Sequence, residues 1–294
     1  MQTFLYLTTI YLIWGSTYLA MRVGVMDGSG FAPFSFGATR FIIAGPVILL
    51  ICYFMKKRIR ITASEFKKLV LSGVLLWLTG HGLILWGEQY IESGYTALIL
   101  AASPVFILIM ETFLDRKKPN LYLLMFIMIG FCGTAVLVLP RLKGGFDINS
   151  FAVSVIVVGM ISWAIGALYQ QRHKTKLSTL AMSGYQQLFA GIGFFLVSII
   201  LKEPFPHPTS TAWFALIYLI VFGSIIAFTV YLKALATINI NVLMTYSYVN
   251  PFIAVILGYF ILNEKISSST LLGGVIIVIS VFGIIMKKGK KVSA

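Results

Sequence analysis

The chain has 294 residues, of which 59% are hydrophobic and 11% are charged, and its mean hydropathy is +0.94. Soluble globular domains are about half apolar and about a quarter charged, so this composition indicates an integral membrane protein without a sizeable soluble domain. The formal net charge is +14. Its basic residues cluster in short loops between apolar runs, which is a membrane-topology pattern and argues against a nucleic-acid-binding protein.

Apolar runs broken by charge, glycine or proline follow one another from end to end. They cover about 3–24, 34–55, 68–87, 91–113, 121–139, 151–171, 179–201, 212–233, 239–262 and 270–286. A bilayer core needs roughly 20 apolar residues per helix, and lipid offers the backbone no hydrogen-bond partner of its own. The sequence therefore predicts an all-α integral membrane protein with ten transmembrane helices.

The basic residues also predict an orientation. Most of them fall in alternate connections, at KKRIRITASEFKK (56–68), DRKKPN (115–120), RHKTK (172–176), Lys233 and KKGKK (287–291). Loops rich in lysine and arginine stay on the cytoplasmic side of a membrane. We therefore expect both termini to be cytoplasmic.

The sequence contains two similar halves. Trp14 in IYLIWGSTYLAMRVG has a counterpart in Trp163 of GMISWAIGALYQQRH, and AASPVFILIMETFLDRKK resembles SYVNPFIAVILGYFILNEK, each pair being about 150 residues apart. Five helices per half is an odd number, so the second half must enter the membrane upside down. This predicts two five-helix inverted repeats, over residues 1–145 and 146–294, an arrangement common among carriers.

Two prolines occupy matching places in the predicted fourth and ninth helices. Pro104 and Pro251 each lack an N–H and clash with the carbonyl four residues earlier, which would free the carbonyls of Leu100 and Ser247. Inverted-repeat carriers place their substrate beside such interrupted helices. The alternative is a packing kink whose carbonyl is satisfied by a neighbouring helix.

Three ionisable side chains lie inside or beside apolar runs, and they are Arg40, His81 and Glu88. Trp77, His81 and Glu88 are predicted to share one helical face, as a titratable or substrate-contacting stripe, unless Glu88 merely marks the outer membrane boundary. Arg40, inside the second run, could snorkel to the surface, pair with Glu88 or attract an anionic substrate group. These alternatives remain open at the level of sequence.

The other candidate binding residues are aromatic or neutral. They are Trp14, Tyr18 and Trp163, which would form apolar walls, and Gln187, Tyr246 and Asn250, which add hydrogen-bonding capacity. Such a set suits a small amphipathic organic solute better than a metal ion, which would require more carboxylates. The sequence has no Walker A loop or hydrolase motif, so we predict no catalytic residue, metal or cofactor.

Five motifs in order carry a family resemblance: IWGSTYLAMRVG, TRFIIAG, LWGEQYIESGYTALILAASPVF, SWAIGALY and SYVNPFIAVILGYFILNEKIS. Together they closely resemble the EamA-type transporters of the drug/metabolite transporter superfamily, essentially from end to end. The resemblance implies a ten-helix carrier in a prokaryotic plasma membrane, usually exporting amino acids or related metabolites through a central cavity. The acidic residue in the first helix of the small four-helix relatives, which exchange protons for cationic drugs, has no match here.

The sequence therefore predicts a secondary transporter, not an enzyme, that exports an amino acid or derivative by alternating access across the lipid bilayer. The alternative is an exporter of lipophilic cationic drugs, and more distant alternatives are a membrane-embedded enzyme and a non-transporting scaffold. Uniport and proton antiport both remain open, with His81 the only deep side chain that ordinarily titrates near neutral pH. The protein is expected to be a monomer or a homodimer.

Overall fold

A computed structural model of the chain describes residues 2–26, 28–90, 93–116, 118, 120–138, 149–262 and 268–286. Every regular element in these ranges is a helix. The helices are α1 (Gln2–Val25), α2 (Pro33–Phe54), α3 (Ala63–Gly87), α4 (Ser93–Leu100), α5 (Ser103–Asp115), α6 (Leu121–Val138), α7 (Ser150–Arg172), α8 (Thr179–Ile200), α9 (Ser210–Thr237), α10 (Ile240–Leu243), α11 (Tyr246–Leu262) and α12 (Ser268–Met286).

The described helices are those of a multi-pass membrane protein. Eight of them are long and apolar enough to cross a membrane, counting Leu98–Asp115 as one, and Leu121–Leu137 is a shorter apolar helix. Large apolar side chains such as Phe113 and Phe214 are mostly exposed on the outside, as lipid-facing residues would be. Each of the ten predicted apolar runs overlaps a helix. However, Leu121–Leu137 and α11, which has 17 residues, are both shorter than the eight long helices. The count of ten spans therefore stays a prediction.

Helices from the first half pack against helices from the second half. α2 lies along α8, α6 lies along α12, α3 packs against α7, and α1 contacts both α9 and α11. Glycines permit the closest approaches: a Cβ atom at Gly45 would lie 2.7 Å from the backbone nitrogen of Leu188, and one at Gly273 would lie 2.7 Å from that of Leu137. Small residues commonly allow such close approach between membrane helices. In lipid the hydrophobic effect does not drive helices together, so their association depends on close van der Waals packing.

Each half also contains irregular helical segments. α3 is π-helical over Val74–His81 and α9 over Leu219–Ala227. The backbone turns at residues 101–102, between α4 and α5, and again at 244–245, between α10 and α11. Such departures from regular helix leave backbone groups to be satisfied elsewhere and are frequent at functional sites.

A glutamate ties the two halves together near the start of α2. The carboxylate of Glu203, after α8, accepts hydrogen bonds from the backbone nitrogens of Phe34 and Ser35 at 3.0 and 2.7 Å. The backbone of the same loop donates from His207 to the carbonyl of Gly30 at 2.9 Å. A carboxylate at a helix N-terminus accepts hydrogen bonds from N–H groups that have no partner within the helix. Its negative charge also interacts favourably with the positive end of the helix dipole.

A second glutamate acts similarly near the start of α3. Glu65 accepts from the backbone nitrogen of Thr62 at 2.9 Å, from Arg58 at 2.7 Å and from the backbone nitrogen of Lys176 at 3.3 Å. Lys176 belongs to the connection between α7 and α8. Contacts between the halves thus occur at both ends of the bundle.

Candidate functional site

A cavity lies between helices of both halves. It encloses about 730 Å³ of empty space, a volume that includes the solvent-filled space at its open mouth. Its walls come from α1–α5, α7 and α11. The lining residues are Trp14, Thr17, Met21, Arg40, Trp77, His81, Ile84, Leu100, Ser103, Met160, Trp163, Tyr246, Ser247 and Asn250.

Aromatic rings form one continuous wall of this cavity. Trp14 meets Trp163 edge to face with centroids 5.9 Å apart, and it meets Tyr246 in the same way at 5.0 Å. Trp77 extends the wall through an edge contact with Trp163 at 5.5 Å, while Tyr231 packs behind Trp14 at 5.0 Å. The structure therefore brings the two tryptophans from matching sequence positions to one surface.

Arg40 is the buried cation of the cavity. Only 3% of its surface is exposed. Its Nε donates a 2.9 Å hydrogen bond to Oγ of Ser224, and its guanidinium carbon lies 5.0 Å from the ring centroid of Phe41 and 5.7 Å from that of Trp77. The structure does not bring Arg40 into an ion pair with Glu88, one of the partners that the sequence suggested.

Trp77, His81 and Glu88, predicted to share one face of α3, do not all line the cavity. His81 lines the cavity and packs edge-on against Trp77 and Phe41, with centroids 5.4 and 6.1 Å apart. Glu88 is half-buried, follows the last residue of α3 and does not line the cavity. Seven residues of helix advance the chain by about 10 Å, which separates Glu88 from His81.

The two prolines differ in their surroundings. Pro104 stands in the first turn of α5, and the carbonyl of Leu100 accepts a 2.6 Å hydrogen bond from Oγ of Ser103. The carbonyl of Leu100 therefore accepts from a side-chain hydroxyl in place of the backbone N–H that Pro104 lacks, and its contact with a substrate stays a prediction. Pro251 lies inside α11 and denies Ser247 its usual helical donor, and Ser247 lines the cavity.

The neutral candidates also divide. Asn250 lines the cavity, is 1% exposed, and its Oδ1 has no hydrogen-bond partner among the described residues. Gln187 does not line the cavity: its amide nitrogen donates to Oγ of Ser183 at 2.9 Å and to the carbonyl of Ser224 at 3.1 Å. Tyr246 lines the cavity, whereas the side chain of Tyr18 lies outside the described part of the chain.

Several cavity residues carry no signal of their own in the sequence. Thr17 and Met21 lie three and seven residues after Trp14 on α1, and Ile84 lies seven residues after Trp77 on α3. Residues at these spacings share a helix face. The positions of Trp14 and Trp77 could therefore have identified these residues as cavity-lining. Met160 and Ser103 could not have been identified in this way, because in the sequence they resemble ordinary packing residues.

The cavity wall is positively charged rather than negative. Arg40 and His81 are its basic residues, and no aspartate or glutamate is among the described residues that line it. Those residues also contain no group of three or more histidine, cysteine, aspartate or glutamate side chains that could hold a metal ion. The wall can thus offer ring faces, neutral hydrogen-bonding groups and a guanidinium.

The chain has clear relatives. A match to the EamA-like transporter family covers residues 2–139 and 150–286. The chain is 30% identical over 265 residues to YedA of Escherichia coli, described as an uncharacterized inner membrane transporter, covering 89% of this chain and 83% of that protein. It is 24% identical over 288 residues to an uncharacterized transporter of Archaeoglobus fulgidus, covering 96% of each.

A solved crystal structure has the same fold. It matches with a TM-score of 0.81 at 19% sequence identity, covering 98% of this chain and 99% of the other. The family match includes nearly all of the sequence and all of the described helices. This multi-pass membrane protein is therefore a transporter that belongs to the EamA-like transporter family.

Proposed function

We propose that the protein is a secondary carrier that exports a small organic metabolite, an amino acid or a derivative, by alternating access across a prokaryotic plasma membrane. The observation that carries this proposal is the cavity itself. It is bounded by both halves of a transporter, and it combines an aromatic wall with the amide of Asn250. A small amphipathic solute matches such a surface better than a bare ion does.

The packing of the helices supports alternating access. The pairs α2 with α8 and α6 with α12 join corresponding predicted helices of the two halves, as expected if two inverted repeats rock about a central site. Cytoplasmic termini and export as the direction are part of the proposal, on the strength of the basic loops and the family resemblance.

Side-chain hydrogen bonds join the two halves on one side of the tryptophans. The hydroxyl of Tyr11, one turn before Trp14, is hydrogen-bonded to that of Thr245, and Asn241 donates to Glu111. These bonds lie toward the end of the bundle where α1 begins and α5 ends, which we propose is the cytoplasmic end. A carrier must break such contacts to open that side.

The cationic-drug alternative has weaker support from the site. The ring faces of Trp14 and Trp163 could attract a cation. A buried Arg40 in the same wall, with no lining carboxylate described, would repel it. An enzyme and a non-transporting scaffold remain alternatives that a flux measurement with product analysis separates from a carrier.

The decisive experiment is efflux from proteoliposomes that contain the full chain and are preloaded with a mixed pool of labelled amino acids, with and without a pH gradient. Protein-free vesicles are the blank. We expect selective efflux of one or a few compounds, chemically unchanged. Acceleration by the pH gradient would identify proton antiport, and indifference to it would identify uniport. Efflux no faster than the blank from folded protein would contradict the amino-acid assignment.

A further inference from the structure

We propose that the cavity recognises its substrate as an organic monocarboxylate anion, with the carboxylate on Arg40 and an aromatic or branched apolar body against the tryptophans. The α-ammonium group of an amino acid is not required for binding. This inference rests on the proposed carrier function and names the chemical class that the same site takes.

The first argument is the state of Arg40. The guanidinium has five N–H groups, and the structure shows one of them used, on Ser224. No carboxylate lies within ion-pair distance of the guanidinium in the described ranges. The residue is nevertheless buried, with 3% of its surface exposed, and it lies about 10 Å along α2 from the first residue, Pro33. A charge buried without a counter-ion in a membrane protein is costly. A substrate carboxylate would supply the missing partner in the bidentate geometry that guanidinium favours.

The second argument is the balance of groups around it. Arg40 and the indole nitrogen of Trp77 are donors, and that nitrogen has no hydrogen-bond partner among the described residues. The guanidinium of Arg40 can donate to the acceptor-only oxygens of a carboxylate. An ammonium group would find no lining carboxylate among the described residues, and the wall would offer it ring faces, neutral hydroxyl oxygens and the Oδ1 of Asn250. A hydroxyl can donate to that same oxygen without bringing a second positive charge next to Arg40.

The third argument is that α9 positions the guanidinium. Ser224 lies in the π-helical segment of α9, and a Cβ atom at neighbouring Gly223 would lie 2.8 Å from a terminal nitrogen of Arg40. Gln187 in turn donates to the backbone carbonyl of Ser224. Ser224 and Gln187 are therefore positioning residues for Arg40 and do not bind the substrate themselves.

A matched series of compounds tests the charge preference. Phenyllactate, phenylalanine and phenethylamine share one ring and differ at the carboxylate and the amino or hydroxyl position. Binding to the full chain in detergent can be followed by quenching of tryptophan fluorescence. We expect phenyllactate to bind at least about tenfold more tightly than phenylalanine, and phenethylamine not to bind, because each positive charge added near Arg40 is poorly screened.

Two variants link the preference to Arg40. In Arg40→Gln, phenyllactate should lose its advantage over phenylalanine, while in Ser224→Ala, which keeps the guanidinium but removes its anchor, phenyllactate affinity should fall several-fold. Lys233→Gln removes a charge from an exposed position on α9 and should behave as the wild type does. Equal or tighter binding of phenylalanine by the wild type, an unchanged preference in Arg40→Gln, or no binding of any probe to folded protein overturns the proposal.

Transport of the same series in proteoliposomes separates this inference from the carrier function. Phenylalanine flux that exceeds phenyllactate flux would leave a carrier but overturn the anion preference. Arg40-dependent phenyllactate binding without flux of any compound would retain the recognition site and contradict the carrier. Faster phenyllactate flux that is lost in Arg40→Gln supports both.

Discussion

Trp14 on α1 and Trp163 on α7 contact each other edge to face, with ring centroids 5.9 Å apart, from matching places in the two halves of the chain. Both line the cavity, and both pack against Tyr231 of α9, at 5.0 and 5.8 Å. Under the proposed alternating-access mechanism, a movement of one half against the other would change this contact. The wall proposed to hold the substrate is also a contact surface between the two halves of the chain.

Replacement of either tryptophan by alanine should weaken transport. Trp14→Ala and Trp163→Ala each remove one ring of the proposed substrate wall. Because an aromatic contact with the solute is worth about 0.5–1.5 kcal/mol, we expect KM for the transported solute to rise several-fold. The phenylalanine variants should raise KM less. Counterflow in proteoliposomes measures this. Trp86→Ala is the control, because Trp86 packs on Tyr90 and Phe151 and does not line the cavity. Equal effects of Trp14→Ala and Trp86→Ala would mean that the cavity is wrongly assigned.

The carboxylate of Glu203 should stabilise the fold. Glu203→Gln keeps one acceptor oxygen but loses the charge that faces the N–H groups of Phe34 and Ser35. We expect a loss of about 1–2 kcal/mol, seen as a decrease of a few degrees in Tm of the detergent-solubilised protein. Lys233→Gln, at an exposed position, should leave Tm unchanged. A Glu203→Gln protein as stable as the wild type would show that this link between the halves contributes little.

Two glycines test the close packing of α2 and α8. Alanine at Gly45 would place Cβ 2.7 Å from the backbone nitrogen of Leu188, which cannot move without shifting a helix. Alanine at Gly193 on α8 would meet the end of the Leu78 side chain at 2.6 Å, and that end can rotate away. Gly45→Ala should therefore lower stability by about 1–3 kcal/mol, clearly more than Gly193→Ala does. Folded yield and Tm compare the two, and the reverse order would contradict the packing described for this pair.

Gln187 and Asn250 should respond differently to the same replacement. Asn250→Leu removes an amide from the cavity wall, so it should raise KM with little change in Tm. Gln187→Leu removes the hydrogen bonds to Ser183 and Ser224 outside the cavity; because each is worth about 1 kcal/mol, it should lower Tm, with a smaller rise in KM. Combined Tm and counterflow measurements on both variants separate the roles. A large rise in KM with unchanged Tm for Gln187→Leu would restore Gln187 as a binding residue.

Much of the candidate site could be predicted from residue type and sequence spacing. Trp14 and Trp163 stand out because they occupy matching places in the two halves, and Asn250 stands out as an amide beside Pro251 in an apolar run; all three line the cavity. The same reasoning selected Gln187, which the fold uses to support α9. A polar residue inside a membrane helix must find a partner, but its sequence does not say whether that partner is a neighbouring helix or a ligand.

The local backbone was harder to predict. Proline at 104 correctly indicated an irregular fourth helix, yet the carbonyl of Leu100 is bonded to the hydroxyl of Ser103. The π-helical segments of α3 and α9 have no proline and no distinctive composition. Their i→i+5 hydrogen bonding is a property of the folded backbone that residue spacing in the sequence does not reveal.

Composition and apolar periodicity by themselves determined that this chain is a helical membrane protein, because burial in lipid requires long apolar helices whose backbones are satisfied internally. Motif order alone indicated its family. Only the tertiary structure decided which polar groups share the cavity, and that Arg40 is held by Ser224 of α9 rather than paired with Glu88. The physical reason is that contacts between distant helices depend on crossing geometry and close glycine packing, which sequence spacing within one helix does not contain.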